Sequence, residues 1–531
     1  MPVLHQLMQA EHALALAAPL FLTQGLQALL PLILIVSAML TVRIIMKRRN
    51  DAYGDMGLKS GKTLSQGHSD LEPTRLHASS LSLLKSYYGA RHDFLKWGSQ
   101  ETRETVFQFN LLQHKVIAVS GHSARQTFFA ERGLNLPLGA KILNGAIPSI
   151  PGISDDLDLD QVALFHKRAA EVQKDHHLSL ILPVIIEDCH RGMDEWAASG
   201  TIDPFEIPYK LLFKLTVRVM ASFDIAEDPA LVSSLQYYYE MIDHTTTAST
   251  VMLPWLPSPK WCKKLYATLR ICSILSRAFN DRLKSGVAKD DTLQMFIDTG
   301  DNQTQSIGFI FGMMLAGVRT TGSTACWVLT FLGSNPTWRD KVVEEIESLL
   351  LSADSNVDFT PENLAERMSA ITLEEWEHKT PIFDAVLRET LRLAEPHTAM
   401  RKNIGPDTYI DGKLIPSGAF AVYSFADVHL NPEVYSNPWE FNPGRDWDKL
   451  GREFPTSYIG FGTGGTACQG RRMATLEIKV FVAMFLTKFK CLTVGPDGMM
   501  PLQNSPAPDW NDFLNHGRAP GSFALKYERR N

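Results

Sequence analysis

Cysteine is scarce in this chain: six among 531 residues, at 189, 262, 272, 326, 468 and 491, with no C-x-x-C pair. That spacing excludes a disulfide framework and a structural zinc site, and it suits a reducing compartment. An excess of positive charge is absent too. The formal net charge is −6, which argues against nucleic acid as a partner. Lysine and arginine are missing altogether from residues 1–42. No internal repeat and no low-complexity linker breaks the remainder, so one large, mainly helical domain is the economical reading.

What the opening segment does have is apolar length. Leu26 to Val42 is almost wholly apolar, and the run reaches Met46 if Arg43 snorkels to the interface. About 20 residues span a hydrocarbon core. Arg43, Lys47, Arg48 and Arg49 follow at once, which places the bulk of the chain on the cytosolic side of a single-pass anchor. A cleaved signal peptide would need a basic segment before the apolar run and a small-x-small site after it; neither is present. The expected organisation is an anchor with basic flank over 1–49, a polar linker over 50–75 and a folded domain over 76–531. A second apolar run, Ser306 to Leu332, carries Arg319 and several hydroxyl residues in its middle. A charge there is expensive in lipid, so this run reads as a buried core helix.

Chemistry concentrates in Phe461-Gly-Thr-Gly-Gly-Thr-Ala-Cys468-Gln-Gly470. Its glycines let backbone approach something large and flat, or adopt positive φ. The helix-like run from Arg471 to Phe485 aims free N–H groups at the sulfur, which favours thiolate. Such a thiolate can be a nucleophile, a redox centre or a metal ligand, haem iron included. Two plainer readings compete: a buried cysteine in a glycine turn, and a dinucleotide loop, since Gly460 to Gly465 also fits G-x-G-x-x-G. The second needs a βαβ unit and a ribose-binding acid, and too little chain follows to build them.

Phe461, Gly464, Cys468 and Gly470 stand as in the haem-binding loop of the cytochromes P450, and the chain resembles that family. Thr466 stands where the family usually has Arg or His against a haem propionate. Ala316-Gly317-Val318-Arg319-Thr320-Thr321 is similar to the family's oxygen-binding helix. There Gly317 would leave room over the iron, and Thr320, or its neighbour Thr321, would relay protons. Arg319 replaces the usual acid. Glu389 and Arg392 share a helix face and by themselves would pass for a solvated pair. They lie 79 residues before the cysteine, as in the family, with Phe441-Asn-Pro443-Gly-Arg445 in between. The resemblance implies that Glu389, Arg392 and Arg445 form a buried structural triad. Pro396 to Arg401 would line the distal pocket, with Arg401 on a propionate. The family's Trp-x-x-x-Arg propionate helix is not evident; Arg168 and Lys167 are the nearest substitutes. Tyr409 to Gly418 reads as a hairpin turning at Asp411-Gly412, followed by a strand over Ala419 to Tyr423.

The resemblance, to fungal microsomal members of secondary metabolism in particular, implies a mainly α fold with a small β region. It implies haem b held by Cys468, with Ala316 and Gly317 over its far face. It also implies NADPH-derived electrons from a cytochrome P450 reductase, docked on a basic face of Arg471, Arg472, Lys479, Lys488 and Lys490. The expected reaction is insertion of one oxygen atom from O2 into a lipophilic small molecule at the endoplasmic reticulum membrane, with lipid as the other partner. Two alternatives stay open: a reductase-independent isomerase or dehydratase, motivated by Arg319, and a non-catalytic haem-binding protein.

Overall fold

The computed structural model describes residues 71–530 except 144–158, 255, 354–362, 503, 513–516 and 518–520. The expected anchor, its basic flank and most of the linker lie outside the described residues. Among the described residues no helix is long and apolar enough to cross a membrane.

Three sheets form, and each is small. The largest has the order β1-β2-β3-β9-β6-β4, built from β1 (Thr74–Arg75), β2 (Val106–Leu111), β3 (His114–Val119), β4 (Leu134–Asn135), β6 (Thr398–Asn403) and β9 (Phe420–Ser424). β1, at the end of the polar stretch, already pairs with β2. A two-stranded hairpin joins β7 (Thr408–Ile410) to β8 (Lys413–Ile415). Asp411 and Gly412 have φ of +46° and +72°, the double positive φ that its two-residue turn requires. The third sheet, β10-β11-β5, unites β5 (Ser199–Ile202) with β10 (Phe489–Val494) and β11 (Ala524–Arg529). Its strands are drawn from segments some three hundred residues apart, so no local pattern in the sequence announces it.

Ten helices position the site: α1 (His122–Ala130), α2 (Leu159–Glu171), α3 (Asp175–Asp194), α4 (Ile207–Met220), α5 (Pro229–Thr245), α6 (Pro259–Ser285), α7 (Gln303–Ser334), α8 (Pro336–Ala353), α9 (Pro381–Ala394) and α10 (Arg471–Lys488). α7 is the central one, about 48 Å long at 1.5 Å per residue. It opens with a capping box: the Asn302 side chain accepts from Gln305 N–H at 2.9 Å, and Gln305 accepts from Asn302 N–H at 3.2 Å. It stops before Asn335-Pro336, where Pro336 occupies the first position of α8. From Thr321 to Gly333 every residue of α7 is buried, packed against α4, α9, α10 and β10. Its earlier half has an accessible face, with Ala316 and Thr320 exposed one turn apart. α7 is thus a core helix along one half and a wall along the other.

Candidate active site

Cys468 is seated by backbone. Its N–H donates to the Phe461 carbonyl at 2.7 Å, and Gly462 N–H donates to Ile459 O at 2.7 Å. Gly462 and Gly464 have φ of +68° and +64°, where a side chain is strained. At Gly464 a Cβ would stand 2.7 Å from the Phe129 carbonyl oxygen, so glycine lets the loop rest on the end of α1. Gly465 and Gly470 are different: a Cβ on either would meet nothing within 4 Å. They leave bare backbone beside the cysteine. Gly470 precedes α10, and the Gln173 side chain accepts the Met473 N–H at 3.0 Å, occupying one of the helix's free donors.

The sulfur is solvent-accessible yet crowded by protein. Burial pushes the Cys468 thiol above its ordinary range; the Gly470 N–H and Arg471 pull it down, and Glu395 adds to the rise. The backbone N–H at the helix start lowers it as expected, but without a bound cation desolvation outweighs that donor. A coordinated metal cation removes the proton from such a thiol outright.

Glu389, Arg392 and Arg445 meet in a separate cluster. Arg392 donates to both Glu389 oxygens, Nε to Oε2 at 2.7 Å and Nη2 to Oε1 at 2.8 Å, and Arg445 Nε reaches Oε1 at 2.9 Å. Glu389 and Arg392 are completely buried. Buried charges of this kind persist only when their remaining hydrogen-bonding capacity is satisfied. Arg392 Nη1 donates to the carbonyls of His429 at 2.6 Å and Pro438 at 2.7 Å. Arg445 donates to those of Ser436, Asn437 and Glu440 at 2.8–3.1 Å. The planar forks of two arginines thereby fasten the 429–445 segment to α9.

On the accessible face of α7, Thr320 Oγ1 donates to the Ala316 carbonyl at 2.9 Å, a back-bond that leaves its lone pairs directed outward. Thr321 is 3% exposed and packs into the core, so of the two threonines only Thr320 looks onto the open side. Gly317 does not serve as expected. A Cβ there would run into the Met220 side chain, 2.9 Å from its Sδ, so the glycine makes room for α4. Arg319 forms an ion pair with Asp243 of α5; the sequence held no cue to that partner, which lies on another helix.

Arg401, on β6, is 2% exposed. Its Nη2 donates to Thr466 Oγ1 at 2.5 Å, so it reaches the loop at the position where the family pattern is broken. Its Nη1 is buried without a hydrogen-bond partner, and burial draws its pKa down to about 10. Nearby in sequence, burial pushes Glu395 up to about 7. Desolvation, helped by Arg401 and Arg91, lowers the pKa of His397, although its ring is about half exposed. Arg168 is engaged elsewhere, with Asp301 at 2.6 Å, and Lys167 is exposed.

The basic face expected around α10 is largely neutralised. Arg472 pairs with Asp175 at 2.5 Å and with Glu377, Lys479 with Asp384 at 2.6 Å, and Lys488 with Asp194 at 2.6 Å. Arg471 and Lys490 remain exposed. The surface beside Gln469 is instead a mixed-charge cleft of about 500 Å³, lined by Glu377, Asp384, Arg388, Arg471 and Arg472 among others. The acids sit on 373–378 and α9, far in sequence from Arg471, Arg472 and Lys479, and so escaped notice. So did Glu477, wholly buried on α10, whose carboxyl accepts from Thr216 at 2.7 Å and is pushed up to about 8 by burial.

The family model described as Cytochrome P450 matches residues 171–510. The chain is 27% identical over 412 residues to cytochrome P450 monooxygenase dmxR5 of Cryptosporiopsis sp., covering 76% of this chain and 80% of that protein. It is 27% identical over 399 residues to cytochrome P450 monooxygenase AacuE of Aspergillus aculeatus, covering 72% and 78%. Sterol 14-demethylase of Arabidopsis thaliana is 23% identical, with 83% and 86% covered. Among solved structures, that of the retinoic acid-bound cyanobacterial CYP120A1 superposes with a TM-score of 0.67 at 20% identity, covering 86% of this chain and 99% of that one; the likeness is one of fold.

Proposed function

We propose, from the premise that this chain belongs to the cytochrome P450 family and is a monooxygenase of it, that it inserts one oxygen atom from O2 into a lipophilic small molecule in secondary metabolism. Electrons derived from NADPH arrive by way of a flavoprotein reductase. The observation that carries this reading is the seat of Cys468: an accessible residue on a loop held open by glycine, its approach bonded through Ile459 N–H to His429, whose carbonyl Arg392 of the Glu389–Arg392–Arg445 cluster holds.

The family implies haem, and the residues present fit it. Cys468 would be the iron ligand. The orphaned Arg401 Nη1 suits a propionate carboxylate, with Arg401 bonded to Thr466 in place of the usual basic residue. Phe461, Gly464 and Gly470 shape the loop, and Ala316 and Gly317 belong to the wall opposite. Haem held this way supplies the activation of O2 and the transfer of one oxygen atom.

The chain's own residues do the rest. Ala316 keeps the accessible face of α7 free of bulk. Thr320, whose hydroxyl proton rests on the Ala316 carbonyl, can turn that O–H to the open side to donate it and take a replacement proton on a lone pair. The apolar packing around the later half of α7, Thr321 to Gly333, excludes bulk water from that half of the helix. The mixed-charge cleft beside Gln469 offers the reductase a docking surface next to the cysteine loop, where paired charges give orientation more than affinity. The apolar run ending at Met46 supports anchoring to the endoplasmic reticulum membrane with the folded domain in the cytosol, and a lipophilic substrate suits that location.

Incubation of the membrane-bound chain with reductase, NADPH, ¹⁸O2 and an extract of lipophilic metabolites tests this. One labelled oxygen atom in a product is expected. An isomeric product formed without NADPH would replace this reading with the isomerase alternative. A further consequence concerns Arg401. Arg401→Gln is expected to lose haem about ten- to a hundredfold faster on dialysis against apomyoglobin, because one charged hydrogen bond contributes about 1.5–3 kcal/mol. Unchanged retention would remove Arg401 from the cofactor's contacts.

A further inference from the structure

The Glu389–Arg392–Arg445 cluster lies apart from the cysteine loop, and two side chains that no motif singles out join them. His429 and Tyr435 are completely buried. Each has one end on the arginines of the cluster and the other on the chain that leads to Cys468. The His429 carbonyl accepts from Arg392 Nη1 at 2.6 Å, while its ring Nε2 accepts the Ile459 N–H at 3.1 Å. That bond puts the ring proton on Nδ1. Burial, with Arg392 and Arg125 close by, holds the imidazole well below its ordinary pKa, so Nε2 stays free to accept. The ring also stacks on Tyr458, with centroids 5.8 Å apart. Tyr435 lies under both guanidiniums, 4.8 Å from that of Arg392 and 5.6 Å from that of Arg445, an attraction that is strongest when desolvated. Its hydroxyl donates to the Ser457 carbonyl at 3.0 Å. The two side chains thus hold Ser457 by its acceptor and Ile459 by its donor. From there the hydrogen bonds run on towards the cysteine: the Ile459 carbonyl takes the Gly462 N–H, and the Phe461 carbonyl takes the Cys468 N–H.

We propose that His429 and Tyr435 are positioning residues, a two-point clamp through which the Glu389–Arg392–Arg445 cluster fixes the backbone that presents the Cys468 sulfur. The inference rests on the reading of Cys468 as the iron ligand. A loop that turns on glycine, with positive φ at Gly462 and Gly464, has little stiffness of its own. Its direction is therefore set at residues 457–459, where buried side chains grip it. Both residues act through the main chain. With the clamp intact the sulfur is held where a metal cation keeps it deprotonated. With the clamp loosened it draws back and takes up a proton, the form that burial favours.

The test uses the haem-loaded full chain, reduced under carbon monoxide in mild urea. The readout is the rate at which the band of thiolate-ligated haem gives way to that of haem with a neutral thiol. Parent, His429→Phe, His429→Gln and Tyr435→Phe are compared. Phenylalanine at 429 keeps a ring on Tyr458 and removes only the acceptor, since Nδ1 has no partner among the described residues. Glutamine returns an oxygen near the place of Nε2. Tyr435→Phe takes away one hydroxyl and leaves the ring under the guanidiniums. Each phenylalanine variant is expected to convert about tenfold faster, the effect of one lost hydrogen bond whose other partner stays buried, and glutamine to recover most of that change. A merely structural role would lower the melting midpoint and leave the conversion, measured well below it, at the parent rate. The parent rate in either phenylalanine variant, or glutamine no better than phenylalanine at 429, overturns the clamp. Should His429→Phe fail to load haem, Tyr435→Phe decides alone by the same two outcomes. A parent chain that never shows the thiolate band would sink the proposed function, whereas a normal parent band with unchanged variants sinks the clamp only.

Discussion

Replacing Glu389 with alanine is expected to yield a chain that neither retains haem nor melts cooperatively near the parent temperature. The carboxylate is wholly buried and takes three charged hydrogen bonds from two arginines. Removing it leaves Arg392, itself wholly buried, as an uncompensated cation. Breaking a buried ion pair in this one-sided way costs about 3–5 kcal/mol, against a typical total stability of about 5–15 kcal/mol. The damage is directional. Arg392 and Arg445 also hold the carbonyls of residues 429–440, so losing the anion loosens the segment that supports the cysteine loop before it loosens α7. Glu389→Gln keeps the shape and part of the hydrogen bonding, and should fall between parent and alanine variant. The haem-to-protein ratio and the thermal midpoint measure this. An alanine variant with full haem content and an unshifted midpoint would show that the triad is ornamental.

The second large effect separates two adjacent threonines. Thr320→Val is expected to lower product formation about 10²-fold, the lower end for a positioned proton donor, while NADPH oxidation continues and product per NADPH falls. Thr321→Val should lower it far less, because Thr321 faces the core. The contrast matters because valine is isosteric with threonine: both variants lose one hydroxyl and neither gains volume. Equal losses at the two positions would mean that the hydroxyls act through helix geometry. A small effect at Thr320 alone would place proton entry elsewhere.

Local signals in the sequence served well where the chemistry is local. The turn at Asp411-Gly412 follows from positive φ at both residues, and the cysteine loop follows from glycine at the positions where backbone must pass close to Phe129. The Glu389–Arg392 pair was visible as one helical turn, and Arg445 became its partner through the order of motifs along the chain. What was not legible depends on partners distant in sequence. Gly317 appeared to make space above a cofactor, yet the structure turns its missing Cβ towards Met220 on α4. Arg319 appeared as a missing acid, while Asp243 of α5 supplies the carboxylate it meets. Lys479 and Arg472 appeared as free cations; Asp384 and Glu377, brought in by other helices, neutralise them. β5 finds its partner β11 only across some three hundred residues, and no period or turn signal in four short residues announces such a pairing.

The central claim is that the sulfur of Cys468 holds the iron. Carbon monoxide difference spectroscopy of the reduced chain, beside Cys468→Ala and Cys468→His prepared identically, tests it most directly. The parent is expected to show the red-shifted band of a thiolate-ligated haem. The alanine variant should lose it, and the histidine variant should show the band of an imidazole-ligated haem. A thiolate band that survives in Cys468→Ala would contradict the account.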